Sequence, residues 1–231
     1  MKQVKFIPEP RIEGATLSLL ASYGEKYGKI LTPPIPAEEI LESHLELDLR
    51  IDDLPRLLDV PDVLGATWIQ QRRVRIDQSL DPTVHPSNEG RYRFTVSHEI
   101  GHWELHRYLF PGNPNQGSLF TEEAEPIVCR SGAKDSMEWQ ADCFAGYLLM
   151  PKEMVFRVWE GVYGKLEPYV AVDEIAGLSA RWGLGFDGRP TVGVARDMAR
   201  EFKVSGQAMQ IRLVGLGLIR TTAPEPDLFA R

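Results

Sequence analysis

A chain of 231 residues with 43% apolar and 26% charged residues has an ordinary globular balance and can bury a core, in one large domain or a main domain with an appendage. Its net charge of −7 excludes a general affinity for nucleic acid or acidic membranes, and no run approaches the roughly 20 apolar residues that cross a bilayer. The first ten residues lack the apolar core of a secretory signal, which points to the cytoplasm, where the two cysteines, Cys129 and Cys143, are expected to stay reduced.

Leu17, Leu20, Tyr23 and Tyr27 recur at steps of three and four and predict an amphipathic helix, which the prolines of residues 32–36 end. A short helix is expected over residues 37–44, then a strand over the alternating stretch 45–51. Residues 65–70 and 73–78 are extended runs close enough to pair as a hairpin. A loop over 81–90 leads into a helix over 91–107. The connection 108–135 is rich in Pro, Gly and Asn. Its length suggests function, since structureless loops above about 15 residues are uncommon. A helix from 136 or 137 to 150 follows, and Pro151 ends or bends it. The chain to residue 220 reads as helical with Gly and Pro breaks, and 221–231 as a disordered tail.

Ser97-His98-Glu99-Ile100-Gly101-His102 holds the pattern His-Glu-x-x-His on the helix predicted for 91–107. Residues four apart on a helix share a face, so both imidazoles can reach one ion. Zinc lowers the pKa of a bound water to about 7, and Glu99 is placed to take its proton and return it to a leaving amine. Phe94, Ile100, Trp103 and Leu105 supply a core-facing set that would keep such a site dry.

A catalytic zinc needs a third protein ligand. A histidine six positions after His102 would supply it in one known arrangement, but position 108 is Tyr. His106, one further turn along the same helix, points past a single ion rather than around it, and suits packing or support of a ligand better. Glu138 is the better candidate. With Asp142 it lies on one face of the second helix, so that one carboxylate can bind the metal while the other accepts a hydrogen bond from a ligand imidazole. The apolar run Phe144, Ala145, Tyr147, Leu148, Leu149 and Met150 predicts that this helix is buried, and a buried carboxylate pair needs a cation or strong partners.

Residues 93–102 with Leu105-His106, and residues 138–151 with Phe144-Ala145 and Leu148-Leu149-Met150-Pro151, resemble the two signatures of the ImmA/IrrE metallopeptidases. The resemblance covers roughly residues 30–155. One departure is Asp142, where relatives commonly carry Asn. The resemblance implies a zincin-like, gluzincin-type fold with His98, His102 and Glu138 on zinc and Glu99 as general base. It also implies limited proteolysis in the cytoplasm, typically of a helix-turn-helix repressor, in DNA-damage, phage-defence or mobile-element responses.

Some chains of this type resemble a cysteine-switch design, and Cys129, nine residues before Glu138, could fill the fourth position on the metal and hold it inactive. Zinc–thiolate bonds are about 2.3 Å long, and Arg130 could help stabilise the thiolate. Cys143 is expected in the core.

Toward the C-terminus, Val194, Met198 and Phe202 form one stripe, Met209, Leu213 and Leu216 another, and Ser205 is a candidate cap between them. The pair resembles a helix-turn-helix. Residues 191–220 carry Arg196, Arg200, Lys203, Arg212 and Arg220 against Asp197 and Glu201, a net charge of +3 that leaves −10 for the rest. That balance is compatible with touching DNA, including single-stranded DNA.

The expected fold is α+β, a small sheet on two metal-bearing helices. A metallopeptidase domain over 1–155 would precede a helical, helix-turn-helix-like part over 156–231. The hairpin near 65–78 is expected to offer a substrate a free edge. The alternative to a zinc endopeptidase is a DNA-binding regulator whose zinc site is structural or sensory; an intact Glu99 favours the enzyme.

Overall fold

A computed structural model describes residues 4–110, 126–130, 135–182 and 190–222. They form two compact units, 1–151 and 152–231. The architecture is α+β, as the sequence implies.

The first unit opens with α1 (Glu9–Tyr27), followed by α2 (Ala37–Glu39) and a π-turn over Ile40–His44. The helix is where the periodicity places it, but its face is not. Ile12, Thr16, Leu19 and Tyr23 are buried, whereas Leu17 and Tyr27 are exposed. Both sets run at steps of three and four and share Tyr23, so spacing alone does not choose between them. Thr16 is tolerated inside because its hydroxyl donates to the carbonyl of Glu13 at 2.8 Å.

Strand β1 (Asp48–Asp52) leads through α3 (Leu54–Leu58) to the hairpin β2 (Val63–Trp68) and β3 (Arg73–Asp77). The antiparallel β2–β3 pairing matches the expected hairpin. A further strand, β4 (Ile127–Arg130), comes from within the long connection, and the sheet order is β1-β3-β2-β4. β1 runs parallel to β3, held by buried Arg75, which pairs with Asp48 at 2.8 Å and Asp52 at 2.9 Å. Among the described residues the hairpin is therefore interior, and the sheet's edge strands are β1 and β4 instead of the expected residues 65–78. β4 was illegible because its four residues sit in a stretch dominated by loop-forming residue types.

Against this sheet packs α4 (Glu89–His106), and against α4 packs α5 (Ser136–Leu149). With the sheet on one side and a helix on the other, α4 is buried almost all round, although Phe94 is only half-buried. The α4–α5 crossing is tight at Gly101, where a Cβ would stand 3.1 Å from Ala141 Cα and 3.2 Å from Ala141 O. Those are backbone atoms locked in a helical ladder, so they cannot step aside. Gly101→Ala is expected to lose about 2 kcal/mol to overpacking and regain about 1 from helix propensity. The net loss of roughly 1 kcal/mol is measurable by chemical denaturation.

The second unit contains α6 (Lys152–Tyr163), α7 (Val172–Trp182), α8 (Gly193–Phe202) and α9 (Gly206–Gly215). Two short strands, β5 (Tyr169–Val170) and β6 (Ile219–Arg220), pair in parallel where only helix was expected. The α8–α9 turn is built as its residues suggest. Lys203 takes a left-handed conformation at φ 52°, and the Ser205 hydroxyl accepts from the backbone N–H of Ala208 at 3.1 Å. Ala195, Met198, Ala199, Phe202, Met209 and Leu213 are buried, while Val194 and Leu216 are only half so. Among the described residues, no helix is long and apolar enough to cross a membrane. The expected tail lies outside the described residues from 223 onward.

Candidate metal centre

One turn apart on α4, His98 and His102 point the same way, with their Nε2 atoms 2.9 Å apart. Glu138 meets them from the first turn of α5. Asp135 caps that turn, its carboxylate accepting from the backbone N–H groups of Met137 and Glu138 at 2.8 and 3.0 Å. The Glu138 carboxylate then lies 3.2 Å from His98 Nε2 through one oxygen and 3.2 Å from His102 Nε2 through the other. All three residues are buried, and their donor atoms fall within 4.8 Å of one another.

Whether these atoms suit a metal can be judged from their hydrogen bonds. His98 Nδ1 donates to the Asp142 carboxylate at 2.9 Å, so in the neutral ring its Nε2 is a lone pair facing Glu138, whose oxygens also only accept. Acceptors meeting in a buried place need a cation or a proton between them. The titration behaviour agrees. Burial alone would depress His98, yet its bonds to Asp142, Cys129 and Glu138 raise it well above its ordinary value. Burial would raise Glu138, but its close contacts with His102 and His98 bring it down to about 2. His102, fully enclosed, is pushed down to about 4 chiefly by burial. Two imidazoles and a carboxylate form a donor set that fits zinc.

Glu99 is adjacent but separate. Its Oε2 accepts from the Thr67 hydroxyl on β2 at 2.6 Å, while its buried Oε1 has no hydrogen-bond partner. Burial is the main reason its carboxyl is pushed up to about 7. β2 can lie this close only because residue 65 is glycine. A Cβ there would stand 2.3 Å from Glu99 Oε1 and 2.9 Å from Thr95 Cγ2. Neither Gly65 nor Thr67 was singled out from sequence, because each acts across a strand–helix contact that spacing does not reveal.

Cys129 on β4 is buried, and its sulfur belongs to a second group with His98 and Glu99, all within 4.8 Å. It shares only His98 with the group of His98, His102 and Glu138. Burial pushes its thiol up to about 11, although the hydrogen bond and charge of His98 act the other way. The side chain of Arg130 lies outside the described residues. Asp142 touches His98, but its side chain is 53% exposed, so the carboxylate pair expected to be buried is so only at Glu138. Both carboxylates reach His98 on α4, as their shared face predicts, Asp142 from the exposed margin and Glu138 from inside. Cys143 is half-buried rather than in the core. His106 turns toward His102 Nδ1 and Gln140, not toward the converging donors.

The model of the M78 peptidase family, described as an IrrE N-terminal-like domain, matches residues 65–214. The chain belongs to this family. The match takes in α4, α5 and the α8–α9 pair, so the metallopeptidase-type site and the helical part fall within one family domain. A solved structure described as a Mycobacterium tuberculosis transcriptional regulator is similar at a TM-score of 0.44 and 14% identity, over 90% of this chain and 51% of that one. The chain thus spans about half the length of that protein. No curated protein matches it.

Proposed function

We propose that this M78-family chain is a zinc-dependent endopeptidase that cuts a regulatory protein, a helix-turn-helix repressor, in a DNA-damage, phage-defence or mobile-element response in the cytoplasm. The observation that carries the chemistry is the buried, unpartnered Oε1 of Glu99 beside the convergent His98, His102 and Glu138. A purely structural metal site has no use for an idle buried carboxylate oxygen. Zinc held by the three ligands would supply Lewis acidity, polarising the peptide carbonyl and lowering the pKa of a coordinated water to about 7. Glu99, anchored by Thr67, is the base that takes the proton from the attacking water and hands it to the leaving amine nitrogen. Asp142 holds the His98 ring through Nδ1. An extended substrate has β4 as the sheet edge nearest these residues.

The test is intact-mass analysis of a candidate repressor after incubation with the zinc-loaded chain, with and without single-stranded DNA. One specific cut, absent after chelation, supports the reading; stoichiometric zinc without cleavage of any candidate under either condition rejects it.

The neighbourhood of Cys129 favours a second element, an inhibitory fourth ligand, and with it the alternative of a DNA-binding sensor. In the enzyme reading Cys129 holds the resting state. Cys129→Ser is then expected to raise basal cleavage at least severalfold with zinc content kept, read by the same mass assay; unchanged basal cleavage and zinc affinity would discard the latch. In the alternative, the thiol binds permanently and the α8–α9 pair contacts DNA. Arg196 and Lys203 are exposed there, but Arg212 is buried and Arg200 pairs with Asp197 at 2.9 Å, so less than the formal +3 faces a partner.

A further inference from the structure

On the side of His102 that faces away from the convergent donors, a line of hydrogen bonds begins that ends on main chain. His102 Nδ1 lies 3.1 Å from His106 Nδ1, His106 Nε2 lies 3.1 Å from Gln140 Oε1, and Gln140 Nε2 donates to the Lys5 carbonyl at 3.1 Å. His102, His106 and Gln140 are each 0% exposed, so bulk water does not reach the two inner links; the outermost, to the Lys5 carbonyl, is part-buried.

The direction of each bond follows from the far end. A backbone carbonyl only accepts, so the Gln140 amide turns its N–H toward Lys5 and its oxygen toward His106. That oxygen also only accepts, so His106 carries its proton on Nε2. Enclosed between an imidazole and an amide, His106 stays neutral, and a neutral ring has one N–H. Its Nδ1 is therefore a lone pair, and the donor that meets it is the Nδ1–H of His102. His102 is left with a lone pair on Nε2, the atom 2.9 Å from His98 Nε2 and 3.2 Å from Glu138.

We infer that His106 and Gln140 are positioning residues that, from the Lys5 carbonyl inward, hold His102 in the Nδ1–H tautomer and so present its Nε2 as a metal donor before any metal arrives. The inference rests on the reading of His102 as a metal ligand. The Nδ1 atoms of the two histidines are held by different means: that of His98 by a half-exposed carboxylate, that of His102 by a neutral relay of buried side chains. The relay also ties the residues before α1 to the centre, 135 positions from Gln140 in sequence.

The test uses the full chain, nitrogen-15 NMR of the histidine rings without metal, and zinc affinity by chelator competition. In the parent, metal-free His102 is expected to show a protonated Nδ1 and an unprotonated Nε2. His106→Phe and Gln140→Leu, which break the relay, are expected to mix the tautomers and weaken zinc binding about 10–100-fold. Folded Phe and Leu substitutions that bind zinc as tightly as the parent would overturn the inference. A parent His102 protonated on Nε2 would overturn it even if neither substitution folds. Failure of the parent itself to bind zinc would instead overturn the metal reading beneath it.

Discussion

Glu99→Gln is expected to slow peptide cleavage by about 10²–10⁴-fold with stoichiometric zinc retained. Glutamine has the same shape, and its amide oxygen can keep the bond that Thr67 now donates to Glu99 at 2.6 Å. What disappears is the ability to accept a proton at the second oxygen, which has no protein partner. Zinc stays because Glu99 lies outside the group of His98, His102 and Glu138. Stability is expected to hold or rise, since a carboxylate this buried, pushed up to about 7, is charged only at a desolvation cost. Cleavage rate, zinc content and melting temperature separate the outcomes. A slow enzyme with parental melting temperature is the expected result; cleavage within tenfold of the parent would remove Glu99 from the role of base.

The second large effect concerns Glu138. Four-ligand structural sites bind zinc with about 10–16 kcal/mol, so one ligand carries roughly 3 kcal/mol, about a hundredfold in Kd. Glu138→Ala is expected to weaken binding by at least that factor, because the neighbouring carboxylates are placed otherwise: Asp142 is committed to His98 Nδ1, and Glu99 groups with His98 and Cys129 but not with His102. The consequence is visible without any substrate. At a zinc concentration about 1,000 times the parent Kd, binding stabilises the parent by about 4 kcal/mol, a rise of roughly 10 °C in melting temperature for a protein of this size. Glu138→Ala is expected to lose most of that rise. An equal zinc-dependent rise in both proteins would show that Glu138 does not bind the metal.

His98, His102 and Glu138 could be found in the sequence because helical spacing is a local rule: four residues make one turn, and an apolar run tells which helix is inside. The hairpin was legible for the same reason, two extended runs being close in the chain. The failures all involve partners far apart. α1 offered two apolar stripes, and only packing against the rest of the unit chose between Ile12 and Leu17. β4 has no pattern of its own and exists because β2 had an unpaired side. Gln140 looks like any polar helical residue until the Lys5 carbonyl meets it. Gly65 and Gly101 look like flexible positions, whereas each is a place where only a hydrogen atom fits.

That last point bears on selectivity. At Gly101 even a Cβ would crowd the Ala141 backbone and Phe144 Cβ, so the approach of the helices that carry His98/His102 and Glu138 is limited by the packing of the polypeptide itself. The crossing works as a fixed-jaw gauge: little reorganisation is needed to load an ion of matching size, and an oversized one must pry apart two hydrogen-bonded ladders. In the metallopeptidase reading, ion size would then be discriminated by a residue that never touches the metal, and widening the crossing at position 101 would shift preference toward larger cations.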